Sequence, residues 1–254
     1  MKSLKKALDL IEIIADTGGV GIRDLSGRTG YPPATVHRII AALVERGYLQ
    51  QNRNNKSYSL STRFLEFADS VQQGFDLVPM ARPHLEQLCM DTGENVNLCV
   101  LDGTVVVYID HVHSQKHTLR TFTRLGARVP LHATGVGKVY LSRMGADELG
   151  ACLDQARLER YTERTITDRK VLLRELGRIR DRGYAVDDQE KENGVRCVAA
   201  PVFDHGGFMA AAISVSGAAQ WISRERIKPL ARMVMDCAGR ISADLGYQSG
   251  KIKS

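Results

Sequence analysis

The stretch Gly135-Val136-Gly137-Lys138 has the residue types of a phosphate cradle, in which glycine N–H groups and a lysine meet phosphate oxygens. Its spacing excludes the standard loop. The position five residues before Gly137, where that loop needs a glycine, holds His132. Val139 follows Lys138, so no hydroxyl is offered to magnesium. What remains is the start of a helix at Thr134 to Gly137, with unpaired N–H groups and glycines that let a small anion approach. Cys197, His132 and Asp187 are the types of a nucleophilic set. They lie far apart in the chain, and no nucleophile elbow or oxyanion motif accompanies them, so no catalytic residue is assigned. His111 and His113 alternate on one strand face and, with His117, His132 and Cys197, are candidate metal ligands. An exposed polar strand end is the preferred reading of the first two. Neither a metal nor a cofactor is expected.

A second group of side chains suits a polyanion. Arg28, Ala34, Thr35, His37, Arg38, Arg46, Arg53 and Lys56 fall within the first sixty residues. That quarter holds nine Lys and Arg against five Asp and Glu, which is +4 of the chain's +6. The elements that must carry them can be read from periodicity. Leu4, Ala7, Leu8, Ile11 and Ile14 mark one face of an opening helix, stopped by Gly18-Gly19. A short helix follows near Ile22 to Thr29. Gly30-Tyr31-Pro32 turns the chain, and Pro33 suits the first position of a third helix. Val36, Ile39, Ile40, Leu43 and Val44 are that helix's buried stripe. Ala34, Thr35, His37, Arg38 and Ala41 face the other way. The small residues admit a groove wall, and Thr35, His37 and Arg38 bring donors to bases or phosphates. Strands near 48–51 and 57–60 flank an Asn-rich turn carrying Arg53 and Lys56, within reach of the DNA backbone or minor groove. Three helices and a hairpin predict a winged helix-turn-helix. Arg28 and Arg46, taken singly, suit a solvated helix face as well.

Composition agrees with a globular chain. Hydrophobic residues are 43% and charged residues 25% of 254. No apolar run approaches a membrane span, and Asp9, Glu12 and Asp16 spoil a signal-peptide reading of the N-terminus. A cytoplasmic protein is expected. Cys89, Cys99, Cys152, Cys197 and Cys237 are odd in number and form no C-x-x-C pair, so they read as buried small hydrophobes.

The rest of the chain reads as strand hairpins separated by helices, which predicts α+β rather than a parallel sheet. A helix joins the two parts over 61–75, and another runs from about Leu77 to Asp91, with Pro83 a mild conflict. Hairpins are expected around Asp102-Gly103 and around Asp204 to Gly207. Helices are expected near Gly135–Met144, Ala146–Gln155, Asp168–Arg182 and Ser223–Leu245.

The stretch DLSGRTGYPPATVHRIIAALVERGYLQ resembles the DNA-binding domain of the IclR family of bacterial transcriptional regulators. Ala34 stands where that family often has serine, which removes one phosphate contact. The resemblance continues through LGARVPLHATGVGKVYLS, RGYAVDDQEKENGVRCVAAPVFD and AAISVSG, and so covers nearly the whole chain. It implies a winged helix-turn-helix over 1–60, a linker helix over 61–75, a GAF-like effector-binding domain over 76–248 and a tail over 249–254. It also implies an effector cavity formed by Val129, Gly135, Val136, Asp187, Val195, Cys197, Ser214 and Ser216. Serine hydroxyls and backbone N–H groups there suit a carboxylate, Asp187 suits a ligand hydroxyl, and the valines form an apolar wall. The stretch from Leu153 to Asp168 resembles family members that control sugar-acid catabolism. The implied partners are double-stranded operator DNA, a small-molecule effector and further copies of the chain, as a homodimer or dimer of dimers. The readings to be weighed against this are an enzyme with an accessory DNA-binding domain and a ligand-independent DNA-binding protein.

Overall fold

The computed structural model describes residues 2–73, 77–116 and 124–248. The chain divides into two compact units, Met1–Asp76 and Leu77–Ser254.

The first unit holds α1 (Lys2–Thr17), α2 (Ile22–Thr29), α3 (Pro33–Glu45), β1 (Leu49–Gln51), β2 (Tyr58–Leu60) and α4 (Arg63–Gln73). Gly30 ends α2 in the left-handed region at φ 69°, its N–H closing on Ser26 O. Three residues later Pro33 opens α3, as its fixed φ and missing N–H favour. Leu10, Ile14, Leu25, Val36, Ile40 and Leu49 form the core. The hairpin pairs Leu49 with Leu60 and Gln51 with Tyr58. The face of α1 differs from its expected stripe. Leu10 and Ile14 are buried with Ala7 and Ile13 beside them, whereas Leu4 and Leu8 are 68% and 50% exposed. The helix carries more apolar residues than one stripe can hold, so two stripes were open and packing against α2 and α3 selected one. In α4, Phe64 and Phe67 pack on Tyr48, which ties that helix to the hairpin side of the unit.

The second unit is a six-stranded antiparallel sheet in the order β5-β4-β3-β8-β7-β6. Its strands are β3 (Asn95–Asp102), β4 (Val105–Val112), β5 (Arg128–Pro130), β6 (Ala185–Asp188), β7 (Val195–Phe203) and β8 (Met209–Ala218). Helices α5 (Leu77–Thr92) and α9 (Arg224–Asp244) cover one face, burying Leu85, Leu88, Val234 and Ile241 against Leu98, Val198 and Ile213. Helices α6 (Gly135–Arg143), α7 (Ala146–Gln155) and α8 (Arg169–Arg182) lie on the other, burying Val139, Leu141, Leu172 and Ile179 against Cys99, Ala199 and Ala212. The mixed helix and antiparallel-sheet architecture is the expected one. Pro83 sits inside an uninterrupted α5. The edge strands β5 and β6 were not anticipated, because three and four residues are too few to display alternation. No helix among the described residues is long and apolar enough to cross a membrane.

Candidate functional site

Unit one presents its predicted contact residues on the surface. Ala34, His37 and Arg38 are exposed on α3, opposite the buried Val36, Ile39 and Ile40. Thr35 is half-buried, its N–H bonded to Pro32 O at 2.8 Å in the first turn. Arg28 is exposed in the last turn of α2 and Arg46 at the end of α3. Arg53 and Lys56 are exposed in the hairpin turn, where Lys56 takes a positive φ of 57°. The arrangement brings a helix start without acidic residues, and a basic turn, to solvent. This suits a groove and its flanking phosphates.

Unit two contains a cavity of ≈ 220 Å³, and all eight residues named above line it: Val129 from β5, Gly135 and Val136 from α6, Asp187 from β6, Val195 and Cys197 from β7, Ser214 and Ser216 from β8. Its volume lies below the roughly 300–1,000 Å³ of sites for drug-sized ligands, which suits a ligand of few heavy atoms. Tyr108, Ala127, Thr134, Lys191 and Glu192 complete the wall. Sequence reasoning named Thr134 only as part of the anion-accepting helix start and missed the other four. Tyr108 was within reach: Val105, Val107 and Ile109 alternate along β4, which puts Tyr108 on the opposite face. Lys191 and Glu192 follow β6, a strand too short to recognise.

The helix start is built as its sequence suggests. Thr134 Oγ1 accepts from Gly137 N at 3.1 Å and donates to Pro130 O at 2.8 Å. The first-turn N–H groups of Gly135 and Val136 have no acceptor within the helix. Gly137 serves packing, since a Cβ there would overlap the Leu131 backbone. Lys138 turns away from the cavity into the core. It is 1% exposed, donates to Val186 O at 2.7 Å and pairs with Glu190.

Two polar groups flank Cys197 on the cavity face of the sheet, with Ser216 beside it on β8 and Asp187 beside it on β6. Asn97 Nδ2 donates to Ser216 Oγ at 3.1 Å and to Ser214 Oγ at 3.3 Å. The serines thus share one buried amide, whose Oδ1 has no partner of its own. On the other side Asp187 is 4% exposed and accepts from Glu190 N at 2.7 Å. Burial pushes its carboxyl up to about 7, against the opposing pull of Lys138. Burial likewise raises Glu190 above the usual carboxylate range despite its lysine partner. The turn between these acids is tied down from outside: Thr165 Oγ1 donates to Glu190 O and Thr162 Oγ1 to Gln189 O, both at 2.7 Å. Lys191 Nζ sits 3.4 Å from the centre of the Tyr161 ring, a cation–π contact that holds it.

The imagined nucleophilic set is not assembled. His132 Nε2 bonds to Glu159 O at 2.9 Å and lines a different cavity, with Leu141 and Cys152. Burial pushes the Cys197 thiol well above its ordinary range, which disfavours a thiolate. The rings of His111 and His113 lie 4.2 Å apart, whereas His132 and Cys197 belong to the two cavities. His117 lies outside the described residues, among which no cluster of three or more His, Cys, Asp and Glu could hold a metal.

Two family models match the chain. One described as the IclR helix-turn-helix domain matches residues 3–53, and one described as bacterial transcriptional regulator IclR C-terminal matches residues 70–243. The chain is 35% identical over 242 residues to the HTH-type transcriptional regulator BhcR of Paracoccus denitrificans, covering 95% of this chain and 86% of that protein. It is 34% identical over 247 residues to the HTH-type transcriptional regulator KdgR of Escherichia coli, covering 97% and 94%. The crystal structure of the Thermotoga maritima IclR superposes with a TM-score of 0.81 at 34% identity, covering 97% of this chain and all of that one (100%).

Proposed function

The chain belongs to the IclR family of bacterial transcriptional regulators, and from that premise we propose that it binds operator DNA through α3 and the hairpin and is controlled by a small carboxylate held in the cavity of unit two. The family is one of DNA-binding regulators, not enzymes, and the chain is a regulator of that kind. The finer reading concerns the effector and the residues. Arg28, Ala34, Thr35, His37, Arg38, Arg46, Arg53 and Lys56 meet DNA. Val129, Gly135, Val136, Asp187, Val195, Cys197, Ser214 and Ser216 meet the effector. The protein acts in the cytoplasm as a homodimer or dimer of dimers. The exposed pair Leu4 and Leu8, one turn apart on α1, supports self-association of unit one.

The observation that carries the effector reading is the polarity of the cavity. Serine hydroxyls and first-turn N–H groups offer donors to a carboxylate, and Asp187 lines the same cavity with a carboxyl pushed up to about 7. A short hydroxy or keto acid, or a sugar acid, presents the matching groups. Such a ligand acts on DNA binding only if it favours one arrangement of the regulator over another.

A thermal-shift screen against small organic acids and sugar acids tests this. A ligand selective for the folded protein stabilises it by about 2.7 kcal/mol at a hundred times its Kd. One chemically related cluster of hits is expected, and the double variant Ser214→Ala with Ser216→Ala should lose the response. A flat screen with folded, DNA-competent protein, or hits that the double variant retains, would remove the carboxylate from this cavity.

A further inference from the structure

Half-buried or buried arginines are expensive unless an acid partners them, because the guanidinium stays charged and offers five donors. Unit two obeys this at Arg182 with Glu175, Arg196 with Asp188 and Arg226 with Glu94. Arg143, half-buried at the end of α6, is the exception among the described residues. No hydrogen bond or ion pair to the rest of the protein satisfies it there, and its Nε is buried without an acceptor. Its guanidinium packs on Phe203, 5.6 Å from the ring centre, and Tyr247 packs on the same ring at 5.2 Å. Instead of an acid, a second cation stands beside it: Arg180 Nε donates to Ser142 O at 2.8 Å. Burial and the Arg180 charge both work against the Arg143 cation, and no carboxylate is among the groups acting on it. Arg143 also borders a cavity of ≈ 200 Å³, distinct from the one described above, between α6, β7 and α9. Gly183 and Gly239 keep that space open, and Tyr247 closes one side. At about 30 Å³ per water, it has room for several waters or for one small oxyanion.

We propose that Arg143, with Arg180 beside it and the Tyr247-lined cavity in front of it, forms a second anion site that takes a small oxyanion, a phosphate or carboxylate group. Bound in the cavity that Arg143 lines, the oxyanion places a negative charge beside two cations that have no acid partner among the described residues. The site is independent of the effector reading, because it shares no lining residue with the first cavity.

Weak-binding methods at constant ionic strength suit the test. The 31P line width of inorganic phosphate and saturation transfer to the methyl group of acetate are measured on the full-length protein. Wild type should broaden phosphate or saturate acetate. The Arg143→Gln variant should lose at least half of that effect, and the Ser214→Ala, Ser216→Ala double variant should keep this Arg143-dependent part. The remainder in Arg143→Gln reports anions on the DNA-contact surface and in the first cavity, so the difference between variants is the signal. A phosphate-only difference assigns a phosphate ligand, and an acetate-only difference a carboxylate. Arg180→Gln alters an exposed side chain and should weaken the same signal at least twofold, which decides the matter if Arg143→Gln does not fold. Wild-type binding retained in Arg143→Gln, or in Arg180→Gln if the former is unfolded, overturns the site. So does an effect lost in the serine variant, or no effect from either anion.

Discussion

Asp187 gives the effector cavity a pH dependence. Its carboxyl is raised from 3.8 to about 7 by burial, so it is largely neutral below that point and charged above it. An anionic ligand in the same small cavity meets a neutral neighbour at low pH and a like charge at high pH. Affinity for a monocarboxylate should therefore fall between about pH 6 and about pH 8, and Asp187→Asn should flatten the profile. Titration calorimetry across that range reads this directly, and an unchanged wild-type affinity would separate the ligand's charge from Asp187. The same shift has a stability sign. The folded state holds the Asp187 proton where the unfolded chain has released it, so the contribution of Asp187 is full below its unfolded value and lost as pH rises to about 7. On the DNA side, Arg38 is exposed on α3 with no competing acid partner among the described residues. Arg38→Ala should cost about 1–3 kcal/mol on the operator if it reads a base, with effector binding unchanged. An equal loss on unrelated duplexes in a competition assay would make it a phosphate contact instead.

At the scale of elements, α6 decides where the cavity floor lies. Its first turn supplies Gly135 and Val136, and Gly137 lets the helix approach the Leu131 backbone more closely than any side chain allows. Gly137→Ala should destabilise unit two by about 1–3 kcal/mol, the usual cost of overpacking. Gly177→Ala in α8, where a Cβ meets open space, should instead stabilise by about 0.4–1 kcal/mol. Thermal or denaturant unfolding distinguishes the two, and similar values for both would mean that α6 is free to shift. The phosphate-like pattern of this stretch thus has a packing origin at Gly137 and a buried ion pair at Lys138. The long elements were legible because periodicity accumulates over ten or more residues: α9, the β7–β8 hairpin and α3 follow their apolar patterns, except that Val44 at the end of α3 is exposed rather than buried. β5 and β6 were not, since edge strands of three and four residues are recruited by their neighbours. That is why Lys191 and Glu192 stayed unseen, while Asp187 was reached only through family resemblance. The α1 stripe was misread for the opposite reason, an excess of apolar residues that left Leu4 and Leu8 exposed.

Across the whole molecule, effector control of DNA binding requires the two compact units to share one equilibrium. The proposed DNA-contact residues lie in Met1–Asp76 and the cavity in Leu77–Ser254, so an effector bound in the second unit must change how the first meets DNA. Helix α4 belongs by its packing to the first unit, through Phe64 and Phe67 on Tyr48, and so carries the connection from a fixed base. Coupling between sites of this kind is typically about 1–3 kcal/mol, or about 5–150-fold in affinity. The most direct measurement is operator affinity with and without a saturating acid from the screen, in wild type and in the Ser214→Ala, Ser216→Ala variant. A change of about 5-fold or more in wild type, with none in the variant and equal basal affinities, is the predicted result. Operator affinity that ignores a bound acid, or that shifts equally in both proteins, would contradict control of DNA binding through this cavity.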